Sequence, residues 1–167
     1  TEKEIQVLAP IYKTNNGIDA LNKVLQKIFN PKSPKKNEIT SGEIIYREGD
    51  KILQLVNDSD NFISNGDIGY IESIVSSSKS KSKKNEVVIN FDGTRVTYTP
   101  KDFINITHGY AISVHKSQGG EFKMVIIPFS PSYKRMLYNK LVYTAITRAK
   151  QKLILVVAAL NLVKQCI

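Results

Sequence analysis

Apolar residues along this chain are spaced first as in a strand and then as in a helix. The run Gln6–Pro10 is largely apolar and ends in proline, which predicts a short buried strand. The next apolar residues recur every three or four positions, at Ile18, Leu21, Val24, Leu25 and Ile28. This spacing predicts a helix with these side chains on one buried face, and Asn30-Pro31 is expected to end it.

From residue 44 to residue 106 the pattern changes to short strands separated by turn residues. Val87, Ile89 and Phe91 alternate with other residues ahead of Asp92-Gly93, a pair typical of tight β-hairpins. Several short strands of this kind predict a small all-β barrel. Ser76–Lys84 contains only serine and lysine, so it cannot bury a core and is predicted to form a loop.

After residue 106 strand and helix patterns alternate again. Strands are predicted at Tyr110–Val114, Met124–Phe129 and Lys152–Ala158. A helix is predicted between the last two, with an apolar stripe at Leu141, Val142, Ala145 and Ile146. We therefore expect an α/β domain, residues 1–43 and 105–167, interrupted by an all-β insertion at residues 44–104.

Composition and charge restrict the classes of function. An apolar fraction of 41% is enough for a folded core, and a formal net charge of +9 favours an anionic partner. Nucleic acid is the first candidate and an acidic protein or a membrane surface the second, while a merely basic surface is the alternative. A single cysteine, Cys166, and two histidines offer neither a disulfide framework nor zinc-ligand spacing.

No apolar stretch reaches the length of a membrane-spanning helix, and the first residues do not resemble a signal peptide. We therefore expect a cytoplasmic protein with no membrane partner. The chain does not begin with methionine, and we expect it to be a fragment of a longer protein.

The segment Ser113–Phe122 gathers hydrogen-bonding side chains between two predicted strands. Gly119-Gly120 allows a ligand to approach the backbone closely, and Glu121 can accept hydrogen bonds from sugar hydroxyls. By itself, a Gly-Gly-Glu sequence is more typical of an ordinary surface turn than of a nucleotide site. The pattern points to a nucleotide, although the chain contains no G-x-x-x-x-G-K-[ST] phosphate loop.

Two further sets of basic residues are candidates for phosphate contacts. Arg148 ends the predicted helix, and a guanidinium can stabilise the charge on a transferring phosphoryl group. The alternative interpretation is that Arg148 is an ordinary surface arginine, which the dipole favours at the C-terminal end of a helix. The lysines of the Ser76–Lys84 loop suit a nucleic-acid backbone or a solvated hairpin tip: Lys79, Lys81, Lys83 and Lys84.

The order and spacing of these segments resemble those of superfamily 1 DNA helicases. Ile112–Phe122 is similar to motif V, and Leu141–Lys150 to motif VI, of the RecD-like group that includes the exodeoxyribonuclease V alpha subunit. Gln6–Pro10 is similar to the segment around motif IV. Gly49–Asn57 and Asn65–Gly69 resemble the start of the barrel inserted in these proteins.

The resemblance implies a fold and an activity. The fold would be a second RecA-like domain with a largely parallel sheet, interrupted by an SH3-like barrel. The full-length protein would be an ATP-dependent DNA helicase, an ATP hydrolase that moves 5′ to 3′. ATP and Mg²⁺ would be bound mainly by the first RecA-like domain of the same full-length chain, so this segment alone is expected to be inactive.

The resemblance also implies roles for individual residues. Arg148 would be the catalytic finger that reaches the γ-phosphate. The nucleotide would contact Gln118, Gly119, Gly120, Glu121 and, less directly implied, Lys13. Single-stranded DNA would contact His115, Lys116 and Ser117. Gly120 departs from the family pattern, which commonly has a small polar residue there.

Two other classes of function are open to the sequence. A nucleic-acid-binding or protein-docking module that never hydrolyses ATP would explain the barrel and the lysines, but it has no need of Arg148. A nuclease is disfavoured because no clustered carboxylates predict a metal site.

The helicase resemblance also implies partners beyond single-stranded DNA, namely other recombination or repair subunits.

Overall fold

The computed structural model describes residues 4–13, 17–80, 83–129 and 135–157. These described residues divide into two compact units, one within the ranges 1–18 and 112–167 and the other within the range 19–111. No helix within the described ranges is both long and apolar enough to cross a bilayer.

The secondary structure follows the predicted alternation. The strands are β1 (Ile5–Ala9), β2 (Glu38–Ser41), β3 (Ile44–Arg47), β4 (Lys51–Gln54), β5 (Ile68–Val75), β6 (Glu86–Phe91), β7 (Thr94–Tyr98), β8 (Ile106–His108), β9 (Ala111–Ser113), β10 (Phe122–Phe129) and β11 (Ala149–Val157). The helices are α1 (Ile18–Phe29), α2 (Arg135–Arg148) and a 3₁₀ helix at Pro100–Asn105.

The first unit is built on a four-stranded sheet of order β11-β10-β1-β9. Strand β10 is parallel to both β1 and β11, which matches the largely parallel sheet that the sequence predicted. Helix α2 packs on this sheet and buries Leu141 and Ala145 completely. Ile146 was predicted on the same stripe but is exposed, because it lies on the outer side of the helix.

The second unit contains the predicted barrel strands. A five-stranded antiparallel sheet of order β7-β6-β5-β4-β8 and the hairpin β2–β3 surround one apolar core. Asp92 and Gly93 both have positive φ, 49° and 99°, as the tight hairpin between β6 and β7 requires. The sequence pattern missed the β2–β3 hairpin, from which Ile39 and Ile44 pack against the core. The predicted boundaries of the all-β insertion, at residues 44 and 104, stay a prediction.

Helix α1 forms where it was predicted, but the prediction of its buried face is wrong in part. Val24 and Ile28 are 54% and 64% exposed, whereas Asn22 and Gln26 are buried. The Asn22 amide donates to the Ala111 carbonyl (3.0 Å) and accepts from the Ala111 N–H (2.8 Å). These bonds compensate the burial of an amide, so the helix can turn a polar side inward.

Asp50 is the centre of a buried hydrogen-bond network in the second unit. Its carboxylate accepts from Gln26 Nε2 (2.7 Å), Asn30 Nδ2 (2.7 Å), the Arg47 backbone N–H (2.7 Å), His108 Nε2 (3.1 Å) and the Tyr110 hydroxyl (3.0 Å). Burial alone would raise the pKa of Asp50, but these bonds, above all that from His108, hold it below its ordinary value. The network joins α1, β3 and the end of β8.

Lys51, next to Asp50, gives the second unit a pH-dependent stability. Burial lowers the pKa of this ammonium group from 10.5 to about 8. The unfolded chain therefore binds more protons than the folded one between these values, and the free energy of unfolding rises with pH. Each pKa unit corresponds to about 1.4 kcal/mol, so we expect an increase on the order of 2 kcal/mol from pH 8 to 10.

Urea unfolding from pH 7 to 10 measures the free energy of unfolding of the wild type and of Lys51→Met. The methionine variant should be the more stable protein at pH 7 and should lack the rise. Above pH 10 stability should fall in both proteins, because burial raises the pKa of Tyr98 to about 12 while tyrosines of the unfolded chain ionise near pH 10. A wild-type profile that stays flat up to pH 10 would contradict the assignment.

Candidate nucleotide and DNA site

The parallel sheet of the first unit brings the two predicted motifs together. Phe122 of β10 stands opposite Ala149 of β11 in the strand register. The residues just ahead of them, Glu121 and Arg148, consequently lie at the same edge of the sheet, at the amino ends of both strands.

Arg148 is the last residue of α2, where the helix dipole favours a cation. Its Nη1 lies 3.4 Å from the Gly120 carbonyl oxygen, to which it donates a long hydrogen bond. Its Nε is buried and has no hydrogen-bond partner among the described residues. Buried donors are nearly always satisfied, so this nitrogen is available for an acceptor that comes from outside the chain.

Glu121 forms an ion pair with Lys150, a residue for which the sequence pattern predicted no role. Its Oε2 accepts from the Lys150 ammonium at 2.6 Å, and both side chains are more than half exposed. The hydrogen bond and charge of Lys150, with a smaller effect of Arg148, lower the pKa of Glu121. The carboxylate is thus ionised near neutral pH, and an exposed pair of this kind opens at little cost. Lys150 belongs to the motif VI segment, so its position could have suggested this role.

The turn requires a glycine at position 119 and leaves little room for a side chain at position 120. Gly119 has a φ of +85°, which side chains rarely adopt. At Gly120 an added Cβ would lie 3.1 Å from the Phe122 ring. Ser117 is buried, and its hydroxyl donates to the Val114 carbonyl at 2.7 Å. Ser117 therefore holds the turn from within, while its predicted contact with DNA stays a prediction.

A pocket of about 320 Å³ lies beside the same turn. Its lining residues are Pro10, Ser113, Val114, His115, Gln118, Leu141, Tyr143 and Thr144. Gln118, a predicted nucleotide contact, shares this pocket with His115, a predicted DNA contact. Tyr143 is 72% exposed and offers an aromatic ring face beside this pocket.

The remaining predicted contacts lie on exposed surface. Lys13 is exposed, and Lys116 is half-buried in the turn. Lys79, Lys83 and Lys84 are exposed on the loop between β5 and β6, whereas Lys81 lies outside the described residues. None of these positions tests the contact that was predicted for it. Among the residues that the structure describes, no group of three His, Cys, Asp or Glu could hold a metal ion.

Two family models match the chain, one for each part of it. The SH3 domain of ATP-dependent RecD-like DNA helicases matches residues 21–91. The UvrD-like helicase C-terminal domain matches residues 108–156, which contain the Gly119-Gly120 turn and Arg148.

Relatives and solved structures agree with these matches. The ATP-dependent RecD2 DNA helicase of Deinococcus radiodurans is 36% identical over 148 residues, which are 89% of this chain and 19% of the relative. The Pif1 helicase from Bacteroides, solved with ADP-AlF3 and single-stranded DNA, has a TM-score of 0.57 at 17% identity. That alignment covers 90% of this chain and 40% of the other.

The Pif1 helicase from Candida albicans has a TM-score of 0.57 at 16% identity, over 91% of this chain and 45% of the other. At such identities the two solved structures show the fold alone. The present chain spans about a fifth of the length of its Deinococcus relative. Both family models nevertheless describe helicase domains, and they confirm the resemblance in the motifs: the chain carries a RecD-like helicase SH3 domain and a UvrD-like helicase C-terminal domain.

Proposed function

We propose that this chain is the second motor domain of an ATP-dependent DNA helicase that moves 5′ to 3′ along one strand. The observation that carries the proposal is Arg148, whose buried Nε has no partner and whose side chain lies against the Gly119-Gly120 turn. A guanidinium with an unsatisfied N–H can donate to phosphate oxygens, which accept two parallel hydrogen bonds from it. A module that only binds nucleic acid would have no use for such a group beside a nucleotide turn.

The residues of the turn fit a nucleotide. Gly119 leaves the backbone open to close approach, and the ionised Glu121 can accept from ribose hydroxyls once Lys150 moves aside. Gln118 and Lys13 are proposed as further contacts. Mg²⁺ and the phosphate loop would belong to the first RecA-like domain of the full-length chain.

Arg148 would act on the charge that develops during phosphoryl transfer. ATP supplies the phosphoryl group, with Mg²⁺ neutralising part of its charge when both are bound. The guanidinium would donate two hydrogen bonds to the γ-phosphate oxygens, where negative charge is spread in the transition state. Because α2 is packed on the sheet through Leu141 and Ala145, Arg148 would be held in place before the reaction begins.

The turn would also connect this site to single-stranded DNA. His115 and Lys116 are proposed to contact the phosphate backbone, with Ser117 fixing the turn beneath them. The exposed ring of Tyr143 could stack on a base in the adjoining pocket, since every base offers a π-face. Movement of the DNA in the pocket would thereby shift the turn that contacts the nucleotide.

Glu121→Ala in the full-length protein should raise the KM for ATP about tenfold with little change in kcat. A ribose contact stabilises the bound ground state and the transition state alike, and hydrogen bonds to charged groups contribute roughly 1.5–3 kcal/mol. Steady-state ATP turnover with saturating DNA measures both constants.

Glu72→Ala is the matched control for this variant. Glu72 forms an exposed pair with Arg95 at the same separation of 2.6 Å, but it lies on the barrel. The control should leave KM unchanged. A loss of kcat at unchanged KM in Glu121→Ala would remove Glu121 from the ribose site.

A non-hydrolysing binding module is the second candidate, because of the lysines between β5 and β6. The two functions differ in the full-length protein. A phosphate loop ahead of this segment, together with DNA-stimulated ATP turnover, supports the helicase. DNA binding without any turnover would favour the module.

Replacing Lys79, Lys81, Lys83 and Lys84 with serine should weaken the salt dependence of binding to oligo-dT. Each phosphate contact on a single strand contributes about 0.7 to the slope of log affinity against log salt, so the largest change is about 3. We expect about half of that or less, because ordering a lysine-rich loop opposes binding. Fluorescence anisotropy across a salt series measures the slope.

The control removes the same number of charges elsewhere in the second unit. Lys23, Lys27, Lys32 and Lys35 are all exposed, and their replacement with serine matches the change in net charge. An equal change of slope in both variants would show that only net charge matters. An unchanged slope in the loop variant would assign the loop to solvent.

A further inference from the structure

The loop between β4 and β5 and the 3₁₀ helix present apolar side chains to solvent. Phe62 is 92% exposed, and Ile104 of the 3₁₀ helix is 82% exposed. Val56, at the start of the loop, is exposed as well. The Leu55 N–H donates to the Asn105 carbonyl at 2.8 Å, which brings the start of the loop beside the 3₁₀ helix. Large apolar side chains exposed on one surface are typical of protein interaction sites.

This loop is held in one conformation by its own hydrogen bonds. The backbones of Asp58 and Ile63 exchange two bonds of 2.7 and 3.0 Å. The Asp58 carboxylate accepts from the Asn61 backbone (3.2 Å) and from the Asn61 amide (2.8 Å). Phe62 is therefore presented by an ordered loop, and a partner that packs on it has little conformational entropy to overcome.

The chain segment around Phe62 carries carboxylates and no cation, whereas the chain as a whole is basic. No lysine or arginine occurs between Lys51 and Lys79, although the chain carries a net charge of +9. A groove of about 420 Å³ borders the loop, and its lining includes Val56, Asn105 and the three carboxylates Asp58, Asp60 and Asp102. Lys101 and Lys84 help to lower the pKa of Asp102, so the unbalanced negative charge of this surface is that of Asp58 and Asp60. These two carboxylates complement a cationic segment.

We infer that Val56, Phe62 and Ile104, with the neighbouring Asp58 and Asp60, form a docking surface for a lysine- and arginine-rich segment of a partner protein. Arginine suits both features, because its aliphatic stem packs on apolar side chains and its guanidinium stacks on an aromatic ring or pairs with carboxylates. Charge complementarity selects this occupant over DNA. The inference is independent of the proposed helicase activity.

The probe for this surface is a short fluorescein-labelled peptide of alternating arginine and leucine, titrated by anisotropy. Phe62→Gly should weaken its binding about tenfold, as expected for an aromatic anchor. Glycine accepts the φ of 58° at this position, so the loop keeps its conformation. Asp60→Asn should weaken binding a few-fold at low salt and hardly at all at high salt.

Three controls distinguish an arginine-rich peptide from other ligands of this surface. Ile28→Ser removes an exposed apolar side chain elsewhere and should leave binding unchanged. A peptide with glutamate in place of arginine should not bind. Oligo-dT should bind equally to the wild type and to Phe62→Gly.

The proposal is overturned if Phe62→Gly and Asp60→Asn both bind the arginine peptide as the wild type does. It is also overturned if Phe62→Gly weakens oligo-dT binding, which would make this a DNA surface. Sedimentation that reveals a dimer dissociated by Phe62→Gly would assign the surface to a second copy of the chain. Should Phe62→Gly lose its circular dichroism signal, the salt dependence of Asp60→Asn decides.

Discussion

Replacing Arg148 with alanine in the full-length protein is expected to lower DNA-stimulated ATP turnover by about 10³- to 10⁵-fold. The KM for ATP should change far less, because the guanidinium acts mainly on charge that appears in the transition state. Arg148 already has a buried Nε without an acceptor, so the folded domain loses no internal hydrogen bond of that nitrogen in the variant.

Arg148→Lys should recover only part of the lost turnover. An ammonium keeps the positive charge but lacks the planar fork that donates two parallel bonds to phosphate. Steady-state turnover and nucleotide binding, measured on the wild type and both variants, separate the chemical step from affinity. Near-normal turnover in the alanine variant would make Arg148 a structural residue and would place the phosphate contact elsewhere.

Asp50→Asn should destabilise the second unit by about 3–5 kcal/mol, as expected when one member of a buried charged network is removed. The amide has nearly the shape of the carboxylate, but its NH₂ group would face donors such as Asn30 Nδ2 or His108 Nε2. At least two buried donors would thus lose their acceptor. Urea unfolding at pH 7 measures the loss.

The same variant has a pH signature that distinguishes the network from simple packing. The folded pKa of Asp50 lies below its ordinary value of 3.8, so its contribution is present above pH 4 and is lost as pH falls through the folded pKa. The difference in stability between wild type and Asp50→Asn should therefore narrow in acid. Asp60→Asn, a change at an exposed carboxylate, should unfold as the wild type does.

The sequence predicted the sheet of the first unit and the neighbourhood of Arg148 well, because both depend on local patterns. Apolar runs specify β1, β10 and β11, and parallel pairing then aligns the residues ahead of two strands. Once Phe122 and Ala149 face each other, Glu121 and Arg148 have to be neighbours. Their proximity follows from the parallel pairing of β10 with β11 and from the position of each residue just ahead of its strand.

The second unit was harder to predict because its buried polar residues form hydrogen bonds with residues far away in the sequence. The Asn22 amide is satisfied by the backbone of Ala111, 89 residues later in the chain. Helical periodicity treats Asn22 as a surface position and Val24 as a core position, and here the reverse holds. The burial of Asp50 likewise depends on donors from three segments, and two of these, residues 26–30 and 108–110, are far from Asp50 in the chain.

The strand order of the first unit has a consequence for biosynthesis. Strand β1 is synthesised well before its neighbour β10, because the Glu4–Lys123 ion pair between them spans 119 residues of chain. At about 5–20 residues per second, translation leaves β1 without that neighbour for roughly 6–24 seconds. Val7 and Leu8, buried in the finished sheet, are exposed on the nascent chain during that interval. We therefore expect a chaperone to hold β1 while the barrel folds, and slow codons within the barrel to increase aggregation.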